Sequence, residues 1–209
     1  MRKIIYALVL LAVSSMSIIA CAQGKTSKEQ SKMKENKNVL VAYFSRTGEN
    51  YSVGNITKGN TQIVAEMIAK ETGGDLFQIE PAVAYPDNYD DCVALAKKEL
   101  GDKARPGVTG DVRTEDYDVS FIGYPNWWGD MPMPVYTFLE KHDWQGKTII
   151  PFCTHEGSGL GSTASKLQSA CNGANVLKGF AIYGHTAQNA RKETEKSTNN
   201  WLHGLQLEQ

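Results

Sequence analysis

The sequence has almost no surplus of charge: 22 Lys and Arg face 23 Asp and Glu, a formal net charge of -1 over 209 residues. A chain with no basic excess, and no basic patch interleaved with aromatics, is not a non-specific nucleic-acid binder. Cysteine is scarce too, with four residues at 21, 92, 153 and 171 and no Cys-x-x-Cys pair among them. That spacing supports neither a zinc site nor a thioredoxin-type couple, and no metal is expected. Gly-x-Gly-x-x-Gly is missing, so there is no dinucleotide fingerprint. The run Gly54-Asn55-Ile56-Thr57-Lys58-Gly59-Asn60-Thr61 has the outline of a P-loop but carries Asn60 where the lysine belongs. Without that point charge a triphosphate loses its main partner, which argues against a nucleotidase.

What is present is enough apolar residue, 41% of the chain, for one sizeable core. The first residues are set apart from it. Arg2 and Lys3 precede an apolar run over 4–20 that ends Ile18-Ile19-Ala20-Cys21. This ending resembles the lipobox of bacterial lipoproteins, which implies a signal peptide at 1–20, cleavage before Cys21 and lipidation of that cysteine. Stable anchoring follows from two or more acyl chains at about 0.8 kcal/mol per buried CH₂. The alternative is an uncleaved membrane helix, for which the run is near the lower length limit. Residues 21–37, mostly Lys, Ser, Gln and Glu, form a hydrated tether, and 38–209 the folded domain. The expected location is the bacterial cell envelope, lipid-anchored on the periplasmic or surface side. Cys92, Cys153 and Cys171 then remain as small buried or half-buried thiols, with a Cys153–Cys171 bridge left open.

From residue 38 onward strand and helix patterns alternate five times. Val39-Leu40-Val41-Ala42-Tyr43-Phe44 is a continuous apolar run, as a strand buried on both faces requires. Further strands are expected at 76–79, 118–123, 147–153 and 176–183. Helices are expected from 60 to Gly73-Gly74, at 89–100, 134–141 and 162–171, and as one long polar helix over 188–205. Residues 49–58 read as a polar bulge and 101–116 as irregular. Alternation without a polar strand face calls for a parallel sheet covered by helices on both sides. Its ligand belongs outside the carboxyl ends of the strands, in the loops after the first, third and fourth.

Those three loops are the ones with unusual composition. The first offers Ser45-Arg46-Thr47-Gly48 and, after the excursion, Asn60-Thr61 at a helix start, where N–H groups, hydroxyls and the helix dipole favour a phosphate. The second is Tyr124-Pro125-Asn126-Trp127-Trp128-Gly129. Two adjacent tryptophans between Gly and Pro cannot both be ordinary core, and they suit a flat ligand. The bland alternative has one capping the core and the other plugging the loop. The third, Thr154-His155-Glu156-Gly157-Ser158-Gly159, bears many N–H donors and little bulk, suited to the polar edge of a heterocycle. His155 is the candidate for giving a proton or hydrogen bond at that edge.

On these three motifs the chain from about residue 38 resembles the flavodoxin family, in a branch with an insertion in the phosphate loop. The resemblance implies an α/β flavodoxin-like three-layer sandwich with a five-stranded parallel sheet of order 2-1-3-4-5, and FMN as cofactor. It implies that Ser45, Thr47, Asn60 and Thr61, with Arg46 and Gly48, hold the phosphate. Residues Pro125, Asn126, Trp127, Trp128 and Gly129 would flank the ring, with Thr154, His155, Glu156, Gly157, Ser158 and Gly159 across from them. The insertion at 49–58 and the lack of an aromatic in the third loop depart from the family pattern. An open ring face favours an FMN-dependent oxidoreductase that passes hydride or electrons to a quinone or other small acceptor. The alternatives are a one-electron carrier acting only with protein redox partners, and a scaffold that has lost flavin. A homodimer is a further expectation from such reductases.

Overall fold

The computed structural model of the protein describes residues 37–205. The expected signal peptide, the lipidated Cys21 and all but the last residue of the tether lie outside the described residues. In chain order the strands are β1 (Val39–Tyr43), β2 (Gly48–Asn50), β3 (Gly54–Ile56), β4 (Asp75–Gln78), β5 (Glu80–Pro81), β6 (Val108–Thr109), β7 (Val119–Pro125), β8 (Thr148–His155), β9 (Asn175–Val176) and β10 (Phe180–Tyr183). The helices are α1 (Asn60–Thr72), α2 (Tyr89–Asp102), α3 (Met133–Lys141), α4 (Thr163–Ala170), α5 (Gly184–Asn189) and α6 (Arg191–His203).

The main sheet runs β10-β8-β7-β1-β4, every pairing parallel. Counting its five long strands in chain order gives 2-1-3-4-5, as expected of the flavodoxin-like α/β sandwich. Alternate residues of the central strands feed two separate cores. Leu40, Ala42, Phe44, Ile122 and Tyr124 pack under α3 with Val135, Phe138 and Leu139. Val41, Tyr43, Phe121, Ile150 and Phe152 pack on the other face with Val64, Ile68 and Leu202. Helices therefore cover both faces, which is why these strands show no polar alternation. Gly123 sits where Phe152 crosses; a Cβ there would come within 2.0 Å of that ring.

Four sequence expectations are corrected. The excursion at 49–58 is an antiparallel hairpin of β2 and β3, not a bulge. It is held by Arg46, whose guanidinium donates to the carbonyls of Glu49, Pro86, Asp87 and Asn88. The fifth strand is broken into β9 and β10, both paired with β8. Pro151 lies in β8 between those pairings and has no N–H to offer the ladder, so the neighbouring strand bulges at Leu177–Gly179. The single final helix is two, α5 and α6, parted at Ala190. Within 101–116, β6 pairs with β5 and Thr114–Asp116 forms a 3₁₀ turn. Cys92, Cys153 and Cys171 are free and buried, which closes the question of the Cys153–Cys171 bridge.

Candidate functional site

The three unusual loops meet at the carboxyl ends of β1, β7 and β8, and Thr154 is their junction. Its hydroxyl lies 2.8 Å from that of Thr61 at the start of α1. Its carbonyl accepts from the Asn126 N–H at 2.9 Å. Asn126 then ties the second loop to the third, its Nδ2 donating to the Gly159 carbonyl at 2.8 Å while its Oδ1 accepts from the Gly129 N–H at 2.9 Å. Thr163 anchors the far end of the third loop, donating to the Leu160 carbonyl and lying 2.9 Å from the Tyr124 hydroxyl. Side chains of modest size thus fix one rim from three distant parts of the chain.

At the first loop Ser45 Oγ accepts from the Gln62 N–H at 3.0 Å, and the Gly59 carbonyl takes the Ile63 N–H. Of the N–H groups that open α1, that of Gln62 is so engaged, the Ile63 bond being the first of the helix itself, and Asn60 at the helix start lines the cleft. Thr61 is only 2% exposed, and its hydroxyl is spent on Thr154. The Asn60 Oδ1 is buried with no partner among the described residues. Arg46, expected to meet a phosphate, spends its guanidinium on four carbonyls instead.

The two tryptophans part company. Residues Trp127 to Asp130 form a tight turn closed by two backbone hydrogen bonds. Trp127 is half-buried and wedged edge-on against Phe44 and Tyr85, with ring centroids 5.3 and 5.1 Å away. Trp128 is 53% exposed and holds φ +56, a left-handed conformation that costs a bulky residue about 1–3 kcal/mol. It leans toward α2, its indole N–H 3.4 Å from the Val93 carbonyl and its ring 5.2 Å from Lys97 Nζ. Buried Asp130 fastens the turn from behind, accepting from Met131 N–H, the Tyr136 hydroxyl and Lys166 Nζ at 2.7, 2.8 and 2.6 Å.

In the third loop the His155 Nδ1 accepts from the Gly157 N–H at 2.9 Å, and its ring packs 4.7 Å from Tyr183. Burial pushes its pKa down, against the pull of Glu156, so the imidazole is neutral with its proton on Nε2. That leaves a hydrogen-bond donor at the rim. Glu156 is committed to α5, accepting from the His185 N–H at 2.8 Å and its ring Nδ1 at 2.6 Å. Gly184 permits this approach, since a Cβ would sit 2.9 Å from Glu156 Oε1 as well as 2.3 Å from Asn60 Nδ2.

Together these loops bound a cleft of about 430 Å³. Of the residues singled out from sequence, Arg46, Asn60, Pro125, Asn126, Trp127, Trp128, Gly129, Thr154, His155, Glu156 and Ser158 line it. Ser45, Thr47, Gly48, Thr61, Gly157 and Gly159 do not. Sequence reasoning missed the other wall, Asn50 and Tyr51 from the hairpin with Tyr89, Cys92, Val93 and Ala96 from α2, and also Gly184, which sits beside Asn60 and Glu156. The spacing of Tyr89, Val93 and Ala96 was the available signal, one stripe of a helix.

A doubly wound parallel α/β domain with an anion-ready helix start and an aromatic cleft at its carboxyl rim belongs to the cofactor-binding class of such folds. The chain is a member of the flavodoxin family, whose model matches residues 38–201. Among solved structures it is similar to a provisionally assigned flavoprotein from Bacteroides eggerthii, with 32% identity, TM-score 0.66, and coverage of 83% of this chain and 100% of that one. A second such protein, from Bacteroides uniformis, has 29% identity and TM-score 0.64 over 81% of this chain and 99% of that one. A flavoprotein in complex with FMN from Lactobacillus acidophilus shares the fold at 21% identity and TM-score 0.56, covering 75% of this chain and 99% of that one. No curated protein matches the chain.

Proposed function

We propose that the cleft holds FMN and that the protein is an oxidoreductase passing electrons from it to a quinone or another small acceptor. The observation that carries the reading is the convergence of all three loops on Thr154. The residues present fit such a group. The N-terminus of α1, where Asn60 lines the cleft, suits a phosphate through its dipole and free N–H groups. The unpartnered Asn60 Oδ1 is an acceptor for a ligand hydroxyl. Trp127 and Trp128 offer a ring platform, and the third loop offers donors to a polar ring edge, His155 Nε2 among them. The cleft volume lies in the range of about 300–1,000 Å³ usual for small-molecule sites. Bound FMN supplies the electron chemistry, and the protein supplies binding, orientation and hydrogen bonding.

The test has two stages. Purified protein given FMN and dialysed should retain flavin absorbance; a colourless protein sinks the cofactor reading. NAD(P)H oxidation with a quinone, and no second protein, should then proceed steadily. A protein that keeps FMN but turns over nothing alone is instead the one-electron carrier. The resemblance of Ile18-Ile19-Ala20-Cys21 to a lipobox supports an envelope location. Fatty-acid labelling of wild type and Cys21→Ala tests it, label being expected in wild type alone and label in neither overturning it.

A further inference from the structure

We propose that the hairpin β2–β3 and the N-terminal half of α2 form a second binding wall for a flat, uncharged aromatic acceptor, with Tyr51 and Tyr89 as its specificity-determining residues. The inference rests on the FMN reading above and assigns the side of the cleft that the three loops do not supply. Tyr51 is 62% exposed and Tyr89 37%, and with Trp128 they are among the few large apolar side chains left exposed. All three border one cleft. Exposed aromatic surface gathered at a single concavity marks a contact site.

The wall is built rather than incidental. Glu49 Oε2 accepts from the Tyr89 N–H at 3.0 Å and from Asn88 Nδ2 at 3.2 Å, while the Glu49 N–H donates to the Asp87 carbonyl at 2.9 Å. With the Arg46 bonds to Pro86, Asp87 and Asn88, these pin the hairpin onto the start of α2. The pinned turn carries Ser52 at φ +64 and sets Tyr51 against Tyr89, ring centroids 6.1 Å apart and tilted by 31°. Such a geometry offers ring surface to a planar guest.

The chemistry of the guest follows from what the wall displays. Below the tyrosines α2 contributes Val93 and Ala96, both apolar. The Arg46 guanidinium on this side is engaged in holding the wall, its Nε and Nη2 donating to the carbonyls of Pro86, Asp87 and Asn88 and its Nη1 to that of Glu49. The groups the wall itself presents to a guest, the two phenols with Val93 and Ala96, carry no charge. Both phenolic hydroxyls are without hydrogen-bond partners among the described residues and can donate to carbonyl oxygens. Burial, with Tyr51 and Asp90 nearby, raises the Tyr89 pKa, so that phenol remains a donor at neutral pH. Planar, neutral and rimmed by carbonyl acceptors describes a quinone.

The probe is menadione, titrated calorimetrically into FMN-loaded wild type, Tyr51→Ala and Tyr51→Phe, with FMN affinity of each protein measured separately by flavin fluorescence. Tyr51→Ala should weaken menadione binding about fivefold or more, with FMN affinity within about twofold of wild type. Tyr51→Phe, which keeps the ring and the fold, should lose less. Parallel loss of FMN and menadione affinity would make Tyr51 a cofactor residue and overturn the inference; unchanged menadione affinity in both variants would do so too. A wild type that takes up no FMN removes the underlying reading first, and this one with it.

Discussion

Thr61 and Thr154 stand 93 positions apart in the chain, and their hydroxyls are 2.8 Å apart with both residues 2% exposed. This one bond ties the start of α1 to the carboxyl end of β8. Removing one partner strands the other. Thr61→Val should lower stability by about 1–3 kcal/mol, the penalty of a buried unpaired hydroxyl. The double variant Thr61→Val/Thr154→Val should recover part of it. Urea midpoints of the four proteins check this, and additive losses would contradict it.

The tryptophans should separate in their effects. Trp127→Ala removes a half-buried ring from Phe44 and Tyr85 and should cost about 2–3 kcal/mol of stability, below the usual 3–5 for a fully buried aromatic. Trp128→Ala leaves an exposed position whose backbone was strained, so thermal stability should barely move. Its FMN affinity should instead fall by about 1 kcal/mol or more. Thermal melts and flavin fluorescence on both variants decide it.

Asp130 holds the tryptophan turn from inside. Asp130→Ala leaves the Met131 N–H and the Tyr136 hydroxyl without their acceptor. Lys166 is 39% exposed at its side chain and can return to water, so the loss should be about 1–3 kcal/mol, not the larger figure for a fully buried pair. Denaturant unfolding measures it.

Acid should destabilise the domain through its histidines. Burial lowers the pKa of both His155 and His142 from the ordinary 6.5. A base whose folded pKa is depressed takes up its proton more readily when unfolded, so its stabilisation is present above 6.5 and is lost as pH falls toward the folded value. Protonation would also fill the Nδ1 of His155 that accepts from Gly157. The urea midpoint should drop between pH 7.5 and pH 5.5, and less so in His155→Gln. An equal drop in the variant would assign the effect elsewhere.

Much of this architecture is legible in the sequence. Val39 to Phe44 and the run around Phe121 are apolar on both faces, so they announce central parallel strands, and Gly73 at φ +71 ends α1 where a left-handed residue is needed. The hairpin was illegible because its residues are polar and exposed; it exists through Arg46 and Glu49, which reach some forty positions along the chain. For the same reason Arg46 read as a phosphate ligand. The break in the last strand follows from Pro151, whose missing N–H is a fact about the neighbouring strand rather than its own sequence. The loops of the site were found by composition, but composition cannot see that Glu156 turns away to His185 or that α2 supplies the facing wall.

The most direct measurement of the central claim is a titration of FMN with the purified protein, read by flavin fluorescence and by the absorbance retained after dialysis. Convergence of the three loops predicts saturable uptake of one FMN per chain at micromolar concentration, weakened in Trp128→Ala. Unquenched flavin and a colourless dialysed protein would contradict it.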